Sequence, residues 1–307
     1  MPDWLIAAAG IVTIAAAAWL LRRRHSRRAA QHARLWYEDN NQGHAGGRPP
    51  DFLAKFGAPG WDAAGQRMDV YMLRLNIIDD LDDAFLTGVL QPFLARTGTA
   101  LAVDATGATW LQLNGREHHL QVELSQLRRL RDLGLAVDYI SLQSPLSKAP
   151  PDGEDYPMDK RIEDVLTYAG AVRGIFPGAE IGVIGALATH GGDWLDAYAD
   201  LLGHGVVGYI HLDCPYEHIG VELGWPDICD IEAAVRRLGA EFGLLITTKE
   251  GGGESNEAWQ AGVLASLDGC IDSGGAPRDY VIASWFPYPD RTLPVIPALI
   301  GAVRRRF

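Results

Sequence analysis

Five positions in the sequence pair a polar or aromatic side chain with the end of an apolar run of strand length. Asp104 closes Ala100–Asp104, Gln143 follows Val137–Leu142, Asp213 follows Val207–Leu212, Glu250 follows Gly243–Lys249, and Trp285 lies in the run that starts at Asp279. Two carboxyl groups flanking one bond are the requirement for cleaving a glycoside, about 5 Å apart for retention and about 6.5–9.5 Å for inversion. Glu250 and Asp213 are therefore the catalytic candidates. The triplet Gly251-Gly252-Gly253 lets a substrate approach Glu250 closely, and the neighbouring Lys249 favours its ionised form. Asp104 and Glu217 are further carboxylates for the same site. Trp285 suits stacking on a sugar face, extended by Phe286, Tyr288 and Trp225, and Gln143 and His190 are polar substrate contacts. The plainer alternatives are a solvated loop acid for Glu250, a loop-capping acid for Asp213 and core or rim packing for Trp285.

Other chemistries find little purchase. Cys214, Cys229 and Cys270 show no C-x-x-C or Cys/His ligand spacing, although a Cys214–Cys229 disulfide stays open. No H-x-H or H-E-x-x-H metal pattern occurs, no G-x-G-x-x-G or G-K-[ST] phosphate loop, and no G-x-S-x-G nucleophile elbow. The expectation is a site without metal or cofactor.

Positioning those residues falls to a regular series of elements. Asp69–Leu75 reads as a first strand, Ala100–Asp104 as a second, Trp110–Leu113 as a weak third, and Val137–Leu142, Glu180–Gly185, Val207–Leu212, Gly243–Lys249 and the run from Asp279 as the rest. Helical spacing fills the gaps at 85–97, 120–133, 162–175, 194–202, 228–238, with Asp227 as its cap, and 255–274. Strands alternating with helices require parallel pairing, and continuous apolar strands fit a sheet covered on both faces. The fold class is α/β, a (β/α)8 TIM-like barrel over 51–307.

The charge is unevenly spread. Net charge is -12, with 48% hydrophobic residues. Six of the 27 basic residues and one of the 39 acidic ones lie in 1–34, leaving 21 against 38 and a net of -17 for the rest. So acidic a body argues against nucleic acid as a partner, since phosphate binding needs clustered Lys and Arg. Trp4–Leu21 is an 18-residue uncharged run, just long enough at about 1.5 Å per residue to span a roughly 30 Å hydrocarbon core. Trp4 and Trp19 suit the interface, and Arg22–Arg28 follows the run rather than preceding it, as in a retained anchor and not a cleaved signal. The domains expected are a single transmembrane helix with its basic flank (1–28), a polar Gly/Pro-rich linker (29–50) and the barrel (51–307). The positive-inside rule puts the barrel on the cytoplasmic side of an inner or plasma membrane.

The pattern resembles the (β/α)8 glycoside hydrolases, the trans-glycosidase-like barrels, over about residues 50–307. The resemblance is architectural. It implies a carbohydrate substrate, an acid/base Glu after strand 4, commonly as Asn-Glu, and a nucleophile Glu after strand 7. With Trp110–Leu113 as strand 3, Glu250 falls on the nucleophile position and Ala283-Ser284-Trp285 on the strand that supplies an aromatic floor. Strand 4, however, ends Leu142-Gln143-Ser144-Pro145, with no carboxylate. Two readings follow: a membrane-anchored hydrolase in which Asp213, Glu217 or an acid within 152–155 supplies the proton, or an inactive barrel that binds a glycan or a protein partner in an envelope polysaccharide system.

Overall fold

The computed structural model describes residues 32–39, 48–106, 108, 117–146, 156–186, 194–221 and 223–307. Eight strands close into a barrel in chain order: β1 (Arg34–Asp39), β2 (Val70–Arg74), β3 (Ala100–Ala105), β4 (Tyr139–Gln143), β5 (Glu180–Ala186), β6 (Tyr209–Asp213), β7 (Glu241–Ile246) and β8 (Asp279–Ile282). Every adjacent pair is parallel, including β1 with β8. All eight C-terminal ends therefore open on one face, the mouth, and all N-terminal ends on the opposite face, the floor.

Three boundaries differ from the sequence reading. The first strand is Arg34–Asp39, inside the stretch read as linker. Its apolar core, Leu35-Trp36-Tyr37, is short and flanked by charges, so the polar and glycine-rich residues after it dominated the composition. The strand at Val70–Arg74 is thus the second. The weak strand Trp110–Leu113 lies outside the described residues, and the described ring is complete without it. Finally, β7 stops at Ile246, three residues before Lys249, because Thr248 caps a short helix, Lys249–Glu254, by accepting from Gly251 N. The anchor Trp4–Leu21 also lies outside the described residues; among those described, no helix is long and apolar enough to cross a membrane.

Alternation along each strand separates two cores. The outward-facing side chains pack under the helices, with Leu35, Tyr71, Val103, Ile140, Val183, Leu212, Leu244 and Tyr280 all buried. The long helices 117–132, 158–175, 225–237, 256–273 and 295–304 cover them. The helix Asn256–Ser273 starts where Ser255 accepts from Ala258 N and stops at Gly274, whose φ of 98° suits glycine. The lumen core is smaller: Trp36, Val70, Met72, Ala102, Ile184, Tyr209, Leu245, Val281 and Ala283. Two glycines make room in it. A Cβ on Gly182 would meet the Tyr209 ring at 2.1 Å, and one on Gly243 would meet His211 at 2.4 Å.

Below these residues a buried polar network fills the lumen floor. Asp279 accepts from Arg34 Nε at 2.6 Å, from Trp36 Nε1 at 2.9 Å and lies 3.2 Å from His211 Nε2. Burial pushes the Asp279 carboxyl up, but these hydrogen bonds and charges outweigh it and hold it well below the usual carboxylate range. Burial also holds His211 below its ordinary value, so it stays neutral beside that carboxylate. Its packing in the core agrees with alternation, which turns it away from the outward-facing Leu212. All three cysteines are free thiols.

Candidate active site

Counting on by two from the lumen core gives the layer at the mouth. Trp36 leads to Glu38, Met72 to Arg74, Ala102 to Asp104, Tyr139 through Ser141 to Gln143, Tyr209 through His211 to Asp213, Leu245 to Thr247, and Ala283 to Trp285. Contacts agree with this parity. Ser141 Oγ and Tyr209 OH are 2.8 Å apart across β4 and β6, Arg74 Nε lies 3.4 Å from Asp104 Oδ2, and Trp285 packs against the lumen core. The mouth thus holds three carboxylates, one guanidinium, an amide, a hydroxyl and a half-buried indole, on seven of the eight strands or their immediate ends. Of the residues the sequence singled out, the structure brings Asp104, Gln143, Asp213 and Trp285 together here.

Asp213 is perturbed by its burial. Its Oδ1 is buried and has no hydrogen-bond partner among the described residues. Burial pushes its carboxyl up from 3.8 to about 7, with His218 pulling weakly the other way. A carboxyl poised near neutral pH at a barrel mouth can hold a proton and release it. Thr247, fully buried, likewise has an Oγ1 with no partner among the described residues. Buried polar atoms of this kind are costly unless something meets them, and two of them flank the same opening. Asp104 is fully buried against Arg74, whose side chain is 18% exposed.

Glu217 and Glu250 stand elsewhere. Glu217 follows β6 on the turn Tyr216–His218 and caps the Lys249–Glu254 helix. It accepts from Lys249 N at 2.9 Å and Glu250 N at 3.1 Å, and from the Thr248 hydroxyl. Burial raises its pKa, but those donors prevail and hold it below its ordinary value. Its role is to tie the loop after β6 to the loop after β7. Glu250 is exposed on the first turn of that short helix, four positions beyond Ile246. Tyr288 is half-buried on the loop after β8, its N–H donating to Gly252 O at 2.9 Å, so it braces the glycine triplet. A Cβ on Gly252 would strike Phe286 at 2.7 Å, so that glycine serves packing rather than substrate approach. His190 and the acids within 152–155 lie outside the described residues. Among the described residues, no group of three or more His, Cys, Asp or Glu is arranged to hold a metal ion.

No protein-family model matches the chain, and no curated protein matches it in sequence. Solved structures do match in three dimensions. An endo-β-1,4-xylanase of glycoside hydrolase family 10 from Gloeophyllum trabeum is 12% identical, covering 91% of this chain and 98% of its own, with a TM-score of 0.55. A mutant of xylanase A from P fluorescens subsp. cellulosa, in complex with xylopentaose, is 10% identical over 83% of this chain and 86% of its own, with a TM-score of 0.55. The endo-β-1,4-mannanase from Thermotoga petrophila is 10% identical over 89% and 76%, with a TM-score of 0.51. In fold, this chain resembles the (β/α)8 glycoside hydrolases.

The likeness is one of fold, and the mouth departs from the carboxylate pattern that the resemblance implies. β4 ends in Gln143 rather than a carboxylate. The lumen-facing position after β7 is Thr247, with Glu250 exposed beyond it. The carboxylates at the mouth of the lumen stand on β1, β3 and β6. Sequence reasoning missed Glu38, because its strand lay in a segment read as linker. It missed Arg74 by running the strand on to Leu75, although Arg74 continues the alternation Val70, Met72, Arg74.

Proposed function

We propose that this protein is a membrane-anchored glycan-acting barrel, a glycoside hydrolase in which Asp213 is the proton donor. The carrying observation is the buried, elevated Asp213 carboxyl with an open oxygen at the mouth. In this reading the Asp213 proton passes to the glycosidic oxygen as its bond to the anomeric carbon breaks. Asp104, set by Arg74, and Glu38 supply the negative charge that stabilises the cation-like sugar and takes a proton from the incoming water. Trp285 forms the apolar side of the opening and stacks on a sugar ring. The neighbours' names point to β-1,4-linked xylo- and manno-oligosaccharides as the first substrates to try. The apolar run Trp4–Leu21 with its arginine flank is the anchor of this reading, with the barrel on the cytoplasmic side; membrane-fraction extraction with carbonate tests it.

The function test is release of reducing ends from those oligosaccharides. Turnover by the wild type and a loss of at least about a hundredfold in Asp213→Asn supports the assignment, since one general acid contributes about 10²–10⁴ in rate. Equal turnover in the variant removes it. The second reading, an inactive barrel that binds a glycan or a protein partner, is favoured by Gln143 and Thr247 standing where the resemblance implies carboxylates. It predicts oligosaccharide binding with no turnover by the wild type.

A further inference from the structure

At the floor of the barrel, two guanidinium groups converge over a glycine. Gly301 lies in the last helix, Val295–Arg304. A Cβ there would sit 3.2 Å from Arg67 Nη1 and 3.5 Å from Arg305 Nη1, so the two nitrogens are no further apart than those distances combined. Arg67 comes from the turn before β2 and Arg305 from the end of the last helix. Both are exposed, and neither makes an ion pair among the described residues. Together with Gln66 and Arg304 they line an open cavity of about 580 Å³. Arg304 is already engaged, donating from Nε to Arg67 O at 2.6 Å and pairing with Asp69. Two exposed like charges this close repel weakly in water, and an anion between them removes that cost. A pair of guanidinium forks is suited to a phosphate group.

The position of this pair on the molecule names the source of the phosphate. Arg304 Nη1 also donates to Ala33 O at 3.3 Å, so the cavity adjoins the point where the chain enters the barrel. Residues 22–32, eleven in number, separate that point from the apolar run Trp4–Leu21, and five of them are arginine. Fully extended they reach at most roughly 40 Å, and they join the barrel at its floor rather than at its mouth. The floor is also the face opposite the Asp213 mouth. We propose that Arg67 and Arg305 form a docking site for the phosphate of anionic lipid headgroups, seating the barrel floor-down with its mouth turned away from the membrane. A membrane as the source of the phosphate follows from the anchor reading of Trp4–Leu21; the docking itself is tested separately from it, and both are independent of the glycan chemistry.

The test is hydrogen exchange on the full chain in lipid discs of neutral phosphatidylcholine, or of the same lipid with about 30% phosphatidylglycerol, enough to give an anionic surface. Docking slows amide exchange in 66–69 and 301–306 by at least about threefold in the anionic discs, leaves 213–219 at the mouth unchanged, and disappears in the double variant Arg67→Glu/Arg305→Glu. Equal exchange in the two disc types, or slowing that survives the double variant, overturns the proposal. So does slowing produced in neutral discs by about 10 mM inorganic phosphate, which would mark a site for soluble anions. A chain that stays outside the discs yet shows the anionic slowing upholds the docking and removes the anchor reading; one that stays outside without slowing overturns both.

Discussion

Asp213→Asn removes a carboxyl at the mouth that burial makes costly to ionise, and the structure sets the size of the effect. A carboxyl raised on folding is protonated in the native state while it ionises in the unfolded chain. Between 3.8 and about 7 the native state thus holds the extra proton, and Asp213 makes stability fall as pH rises through that window. Its stabilising contribution is intact below 3.8, and the full loss is reached above about 7. At about 1.36 kcal/mol per pH unit, the loss is at most about 4 kcal/mol. Asp213 is only partly buried as a residue, although its Oδ1 is covered, so water at the open mouth reduces that figure to about 2 kcal/mol. Asparagine keeps the shape and carries no charge. The assay is urea unfolding of wild type and Asp213→Asn at about pH 5 and pH 8.5, using the difference between the two proteins so that other titrating groups cancel. About two of the roughly three pH units of that window lie between pH 5 and pH 7, so the variant gains about 1 kcal/mol on the wild type between the two pH values, while its hydrolytic activity is lost. A stability difference that is the same at both pH values refutes the claim that burial holds a proton on Asp213.

Three further substitutions separate the roles assigned here. Glu217→Gln weakens the cap on the Lys249–Glu254 helix by about 1 kcal/mol above pH 4.5, an advantage that fades as pH falls because the native carboxylate titrates below its ordinary value; urea midpoints at pH 7 and pH 3 measure it. Gly182→Ala drives a methyl into the Tyr209 ring and lowers stability by about 1–3 kcal/mol, read as a drop in thermal midpoint, with no such drop expected for the unobstructed Gly178→Ala. Glu250→Gln leaves turnover within about threefold of wild type because that side chain is exposed beyond the lumen layer, whereas Trp285→Ala weakens oligosaccharide binding by about 1–2 kcal/mol in calorimetry; a hundredfold loss of turnover in Glu250→Gln would return it to the nucleophile role.

The barrel was legible because strand-length apolar runs alternate with helical spacing from Val70 onward, and periodicity survives without any motif. What composition hid was β1. Its six residues include Arg34, Glu38 and Asp39, whose partners, Asp279 for Arg34 and Lys55 for Asp39, are distant in sequence, so its polar content looked like a linker. Missing it cost the site Glu38. The strand-end rule located Asp104, Gln143, Asp213 and Trp285, because parallel strands carry all their ends to one face. It failed for Glu250 because Thr247 and Thr248 are β-branched and read as strand, while Thr248 in fact opens a short helix whose amides Glu217 gathers. Which of several strand-end acids holds a proton depends on burial and on open oxygens, and neither is written in a spacing. That burial reaches Asp213 follows only once the ring of strands is closed.

The pH dependence of kcat/KM on a cleaved oligosaccharide tests the central claim most directly. With Asp213 as the proton donor, kcat/KM holds up to about pH 7 and then falls about tenfold per pH unit, following the titration of the free enzyme's acid. A rate that stays level from pH 6 to about pH 9, or an alkaline limb that persists unchanged in Asp213→Asn, contradicts it.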